Sequence, residues 1–284
     1  MNIKKETIYI LFIIFLLFSC ETIVNVNLPK HNPKIVVNSI NSPEFPWVVD
    51  LSLSKGILES GDIKMLSGAK VGIYENGESI ALLKEIKNGL YAAVDKMPKV
   101  GIDYQLKVSA KGFKPVSADC HIPKVVTIND VTTNVLQSDE RKELEFIISF
   151  ADPPKTDNYY SFSVYANGYA VYFSSNDLVF QDEENSFEFS GRRFSGYKAI
   201  FDDSVLKGCT YSLKIYIDLD NKGNKYEIVL SSLSKEYYLY LITRRTQAEN
   251  EDNPFAEPVM VFNNINGGFG IFTGYNVSKY IVLY

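Results

Sequence analysis

Three Asn-Gly dipeptides, Asn76-Gly77, Asn88-Gly89 and Asn167-Gly168, each stand between two apolar runs. A type I′ hairpin turn needs positive φ at both central residues, which glycine adopts freely and asparagine tolerates. The pattern therefore calls for antiparallel strands on either side. The flanking runs have the period of two that strands require. In "DYQLKVSA", Tyr104, Leu106 and Val108 alternate with Gln105 and Lys107, as in a sheet with one wet face. In "NYYSFSVYANGYAVYF", a hairpin about Asn167-Gly168 puts Tyr160, Phe162 and Val164 on one face. "CTYSLKIYIDLDNKGNKYEIVLSSL" reads as a further hairpin, turning at "DNKGN". The 19 Tyr and 18 Phe, against the single Trp47, suit pleated, half-buried surfaces.

These signals divide the chain. Residues 34–124 run from "KIVVNSI" to "HIP" as closely spaced strands with turn residues between, the pattern of a small β-sandwich. Pro123 breaks the series, "SDERKE" is a charged loop, and a second β block begins at "LEFIISF". Residues 125–284 are expected to form a β-rich domain with one helix at about 234–248. There Ser234 caps, Glu236 sits in the first turn, and Tyr237/Leu241 and Tyr238/Ile242 form i,i+4 pairs that pack on the second sheet. "KYIVLY" is the last strand.

The N-terminus is of a different kind. Lys4 and Lys5 precede an unbroken apolar run from Ile8 to Phe18. That run falls far short of the ~20 residues a membrane-crossing helix needs, and it matches the ~7–15 residues of a secretory h-region. It ends Leu17-Phe18-Ser19-Cys20, which resembles a bacterial lipobox, although Phe18 is bulky for its place. On that resemblance the signal peptide is residues 1–19, cut between Ser19 and Cys20. Cys20 is then lipidated, and residues 20–33, with Pro29 and Pro33, form the anchor and tether. Burial of ~0.8 kcal/mol per CH₂ makes one acyl chain marginal and two or more secure.

Composition removes several alternatives. Net charge is −5, and loss of Met1 to Ser19 leaves 27 basic against 33 acidic residues, or −6. Arg192-Arg193 and Arg244-Arg245 are isolated pairs, so the clustered positive charge of a nucleic-acid surface is missing. Cys120-His121 invites a thiol-nucleophile reading, but neighbours on a strand point to opposite faces. The other histidine, His31, lies in the tether. Too few Cys and His exist for a paired zinc site, and no cofactor is expected. "DLDNKGNKYE" has Asp218, Asp220 and Gly223 of a calcium loop but Lys222 at the fifth position and Val229 at the twelfth, so a tight turn explains it better. "NNINGGFGIF" lacks the spacing and ending of a phosphate loop, and its glycines suit positive φ or close chain approach. Asp182, Glu183, Glu184, Asp202 and Asp203 raise a glycosidase pair that spacing alone does not place. The reading is of a protein that is not an enzyme, with Cys120 and Cys209 as free, buried thiols.

Taken together, these segments resemble the Bacteroidota outer-membrane lipoprotein family called domain of unknown function 4249. The resemblance runs from the lipobox and "LPKHNPKIVVNSI" through "LSGAKVGIYENGES", "KNGLYAAV", "GIDYQLKVSAKGF" and "FADPPKTDNYYSF" to the C-terminal stretch. That last stretch carries the most specific residues: Asn253, Pro254, Phe255, Glu257, Pro258, Asn264, Gly268, Gly270 and Phe272. Whether they are structural or bind a partner is left open by the sequence. The resemblance implies a mostly β fold whose N-terminal block is an Ig-like or carboxypeptidase-regulatory-like sandwich. It also implies an outer-membrane location through lipidated Cys20, on either face, and a link to a TonB-dependent nutrient receptor. The expected function is binding of a small-molecule or glycan ligand, or assistance to that receptor. The alternatives are a structural or adhesive surface lipoprotein, or a hydrolase of exported polysaccharide or peptide. No catalytic residue comes with the resemblance.

Overall fold

Alternating burial along each segment shows the strands forming where the period of two lies. A computed structural model describes residues 31–56, 59–137, 142–180, 194–206, 208–218, 225–251, 255–257 and 259–283. Residues 1–19, read from the sequence as a signal peptide, and Cys20 lie outside these residues. From Pro33 onward the chain is one compact unit.

β1 (Ile35–Asn41) and β2 (Trp47–Leu53) send Ile35, Val37, Trp47, Val49 and Leu51 inward. β3 (Lys70–Glu75) reaches β4 (Glu78–Lys87) through Asn76 and Gly77, at φ 50° and 83°, the geometry a type I′ turn requires. The turn from β4 to β5 (Leu90–Ala93) differs from the sequence expectation. Gly89 has φ 77° but Asn88 is not at positive φ, and the ladder shifts register between Glu85 and Lys87. The bulge supplies an extra residue, and the Glu85 carboxylate accepts from the Gly89 and Gly68 N–H groups at 3.1 and 2.9 Å. β6 (Asp103–Ser109) and β7 (Val116–His121) complete the first block.

The second block holds β8 (Ile128–Gln137), β9 (Lys142–Ala151), β10 (Tyr159–Ala166), β11 (Tyr169–Ala170), β12 (Phe173–Ser175), β13 (Phe194–Gly196), β14 (Lys198–Asp202), β15 (Thr210–Asp218) and β16 (Lys225–Leu233). One α-helix among the described residues, α1 (Lys235–Asn250), precedes the long final strand β17 (Phe269–Leu283). The described strands form two sheets. The larger has twelve strands in the order β11-β10-β16-β17-β1-β2-β5-β4-β3-β6-β7, with β14 beside β10. The smaller has the order β13-β12-β15-β9-β8. The fold is thus mostly β and sandwich-like, and all but one of the strand pairings are antiparallel.

The exception is β1 with β17, which run parallel from Val36↔Phe269 to Asn41↔Gly274. Beyond that point β17 pairs antiparallel with β16, from Leu233↔Tyr275 to Lys225↔Leu283. One strand therefore serves two cores. The first core holds Trp47, Tyr91, Tyr104 and Leu106, joined by Ile265 and Phe272 from the far end of the chain. The second holds Phe146, Phe150, Tyr160, Phe162, Phe201 and Tyr226. Each such buried side chain contributes about 1.5–3 kcal/mol.

The segment read as a hairpin at "DNKGN" is not one. β15 pairs with β9 and β12 in the smaller sheet, whereas β16 pairs with β10 and β17 in the larger. Leu213, Ile215 and Ile217 meet Ile228 and Leu230 face to face across the second core. Alternation fixes which face is buried, but not whether consecutive strands pair or oppose. Residues 219–224 of that connection, including Asp220, Lys222 and Gly223, lie outside the described residues.

The helix agrees with its sequence signature. Ser234 is extended and its hydroxyl accepts from the Tyr237 N–H at 3.3 Å. None of its residues is fully buried. It leans on the larger sheet through ring contacts, Tyr238 with Tyr159 at 4.7 Å and Tyr237 with Tyr275 at 5.9 Å. Of the cysteines, Cys120 is a buried free thiol, but Cys209 is exposed, contrary to the reading that both are buried. It stands at the open start of β15 rather than on an inward position.

Candidate functional site

The segment "FADPPKTDNYY" builds one wall of a cleft where the two cores meet. Asp152, at the end of β9, is buried; it accepts from the Gly208 N–H at 2.7 Å and from the Tyr160 hydroxyl at 2.5 Å. Pro153 and Pro154 offer no N–H, and Lys155 turns the chain at φ 68°. Asn158 then ties the loop together. Its backbone N–H donates to Asp203 at 2.9 Å, and its side-chain amide lies 2.9 Å from the Thr156 carbonyl and 3.0 Å from that of Pro153. The loop is thus held rigid by its own polar groups, and β10 begins at a fixed point.

The opposite wall comes from the end of β7 and the linker after it. His121 Nδ1 lies 2.6 Å from an Asp103 carboxylate oxygen, its register partner on β6. The floor is the end of β16 and the start of α1. Together they enclose about 560 Å³, within the ~300–1,000 Å³ of small-ligand sites. His121, Lys124 and Lys235 face Asp157 and Glu236 across it, so the lining carries both signs of charge. Burial pushes the Tyr159 hydroxyl up, and the carboxylates of Asp157, Asp203, Asp202 and Glu236 add to that. Asp203 is also raised by burial, against the opposing effect of the Asn158 N–H.

This arrangement offers donors and acceptors that orient a polar ligand. The serine hydroxyls that line it are already engaged. Ser234 Oγ caps the helix and lies 2.9 Å from Thr273 Oγ1, and Ser232 Oγ accepts from the Val126 N–H at 3.0 Å. Cys120 points into the first core while His121 points out, so adjacent strand positions separate them as the period of two demands. Burial raises the Cys120 thiol well above its ordinary value, with smaller contributions from Glu236, Asp103 and Asp119.

The residues singled out by sequence lie elsewhere. Ser19, Cys20, Asn253, Pro254 and Pro258 are outside the described residues, as are Asp182, Glu183 and Glu184. Phe255 is 94% exposed and Glu257 is exposed. Asn264, Gly268, Gly270 and Phe272 come together where β17 meets β1. The Asn264 side chain substitutes for a neighbouring strand: its Nδ2 donates to the Phe272 carbonyl at 2.7 Å and its Oδ1 accepts from the Phe272 N–H at 2.9 Å. A Cβ on Gly268 would stand 2.5 Å from the Ile35 carbonyl oxygen. Phe272 is fully buried, its ring stacked on Trp47 at 5.9 Å. Asp202 and Asp203 accept from Ser204 and Asn158 backbone N–H groups. Among the described residues no group of three or more His, Cys, Asp or Glu side chains is placed to hold a metal ion.

Sequence reasoning missed His121 as a cleft residue. The one available signal was the pairing of two neighbouring strands, "DYQLKVSA" and "VSADCHIP", whose register puts Asp103 opposite His121.

Comparison with protein families finds a match over residues 21–281 to the model described as Domain of unknown function (DUF4249), and the chain belongs to that family. No curated protein matches it.

Proposed function

We propose that this member of the DUF4249 family is a lipid-anchored outer-membrane protein that acts as a ligand-binding or accessory partner of a TonB-dependent nutrient receptor. The observation that carries the reading is the N-terminal order: Lys4-Lys5, the apolar run Ile8–Phe18, then Ser19-Cys20. Such a leader delivers a cysteine for acylation and leaves a tether in front of the body, whose first strand begins at Ile35. Among the described residues no helix is long and apolar enough to cross a membrane. The ligand-binding half of the reading is supported by the rigid, two-signed cleft beside His121 and Asn158.

Cys20→Ala tests the anchor. The wild-type chain is expected in the outer-membrane fraction with a mass increased by acyl chains, and the variant in the soluble fraction without them. Equal membrane retention and equal mass for both would overturn it. Mild-detergent purification of the wild-type chain is expected to bring down a TonB-dependent transporter; recovery of the chain alone would remove the receptor link.

A further inference from the structure

The solvent face of the larger sheet carries a second concavity, which shares only Leu233 with the cleft. Midway along β10 and β16 the side chains on this face are short: Ser161, itself buried, and Ser163 on one strand, Val229 and Ser231 on the other. Larger residues surround this floor. Tyr165 stands at one end on β10, and Tyr275 rises from β17. Tyr237 comes down from α1, and Phe45, 58% exposed, reaches over from the turn between β1 and β2. The result is a trough of about 360 Å³ with a hydroxyl floor and aromatic walls.

Its charges are few and distinctive. Lys279 and Glu44 lie 3.8 Å apart, and Glu227 lies on the face as well. The Lys198 ammonium sits 5.9 Å from the Tyr237 ring centroid, and surrounding protein atoms lower its pKa. Among the described residues no carboxylate pairs with it. Lys198 keeps an exposed surface, and its ammonium has three donors and no acceptor function, so it favours a ligand that brings oxygen lone pairs.

We infer that this trough binds a neutral saccharide. The aromatic rings offer flat apolar surface to the C–H faces of a sugar ring. The serines accept or donate, Glu227 accepts and Lys198 donates, which suits a ligand whose every hydroxyl does both. A greasy ligand would leave the hydroxyl floor and Lys198 without partners. A polyanion is disfavoured because Glu44 and Glu227 oppose the two lysines. An extended peptide would need an unpaired strand edge, whereas β10 and β16 are paired on both sides along the floor.

Affinity electrophoresis of the full chain carrying Cys20→Ala tests this, in gels cast with neutral polysaccharides (glucans, xylan, galactomannan) or with acidic pectate. At least one neutral polymer is expected to retard the protein. Phe45→Ala and Lys198→Met, one exposed and one volume-conserving, should each weaken that binding roughly tenfold or more while circular dichroism and melting temperature stay unchanged. His121→Ala in the cleft should leave it intact. Retardation by pectate alone, retardation by none of the polymers, or unchanged binding by both folded trough variants would each overturn the inference. The test does not involve the lipid anchor, so its outcome is independent of the membrane assignment.

Discussion

Gly270 and Val37 face each other across the parallel β1–β17 ladder so closely that a Cβ on Gly270 would lie 1.9 Å from the Val37 carbonyl oxygen. Gly270 also has φ 103°. A side chain there meets both backbone strain and a rigid carbonyl, so Gly270→Ala is expected to cost at least ~2–3 kcal/mol in urea unfolding. Gly77 has φ 83° and nothing within 4 Å of its Cβ position. Gly77→Ala should therefore cost only about 1 kcal/mol, and equal losses at the two sites would contradict the close approach.

Trp47 is packed edge-on against Tyr104 at 4.8 Å and stacked on Phe272, yet its buried Nε1 has no hydrogen-bond partner. Truncating Phe272 to Ala empties part of the first core and should cost about 3–5 kcal/mol. Trp47→Phe also loses contacts, but it removes an unsatisfied donor that costs ~1–3 kcal/mol to bury. Denaturant midpoints should therefore show Trp47→Phe as the milder change by a clear margin.

Glu85 links the turn at Gly89 to the loop at Gly68. Those two N–H groups, with the Ser67 hydroxyl, hold its carboxyl down to about 2 from 4.5. Because the folded value is depressed, its stabilising effect is present above pH 4.5 and is lost as pH falls toward 2. Glu85→Gln should flatten the acid limb of the stability profile between those values. A pH profile parallel to wild type across that window would show that the contact is unimportant.

The two thiols of the folded body should react at different rates. In a Cys20→Ser background, a maleimide is expected to modify exposed Cys209 quickly and buried Cys120 only on unfolding. Two fast equivalents in the native protein would place Cys120 at the surface.

Local chemistry made part of this structure readable from the chain. The turns at Asn76-Gly77 and Asn167-Gly168 and the helix capped by Ser234 each depend on a few adjacent residues, and all three formed as expected. The Asn88-Gly89 turn departed because Glu85, three residues earlier, supplies hydrogen bonds that change the ladder. The β15–β16 connection departed for a longer-range reason: a period of two assigns faces, while strand partners depend on contacts far along the sequence. The cleft was hidden in the same way, since it needs His121, Asn158 and Glu236, which no local spacing brings together. The glycines of "NNINGGFGIF" were recognised as backbone residues, but not which carbonyls they approach.

The double duty of β17 bears on how the chain reaches this state. Its first half seals the core begun by β1, more than two hundred residues earlier, through pairs such as Val37↔Gly270. Loop-closure entropy makes so distant a pairing slow relative to the neighbouring hairpins. A chain emerging N-terminus first, from a ribosome or through a narrow passage, carries its opening strands without their clasp until the final residues arrive. The N-terminal block is consequently closed only once β17 is in place, and loss of the fifteen residues of that strand would leave both cores unfinished.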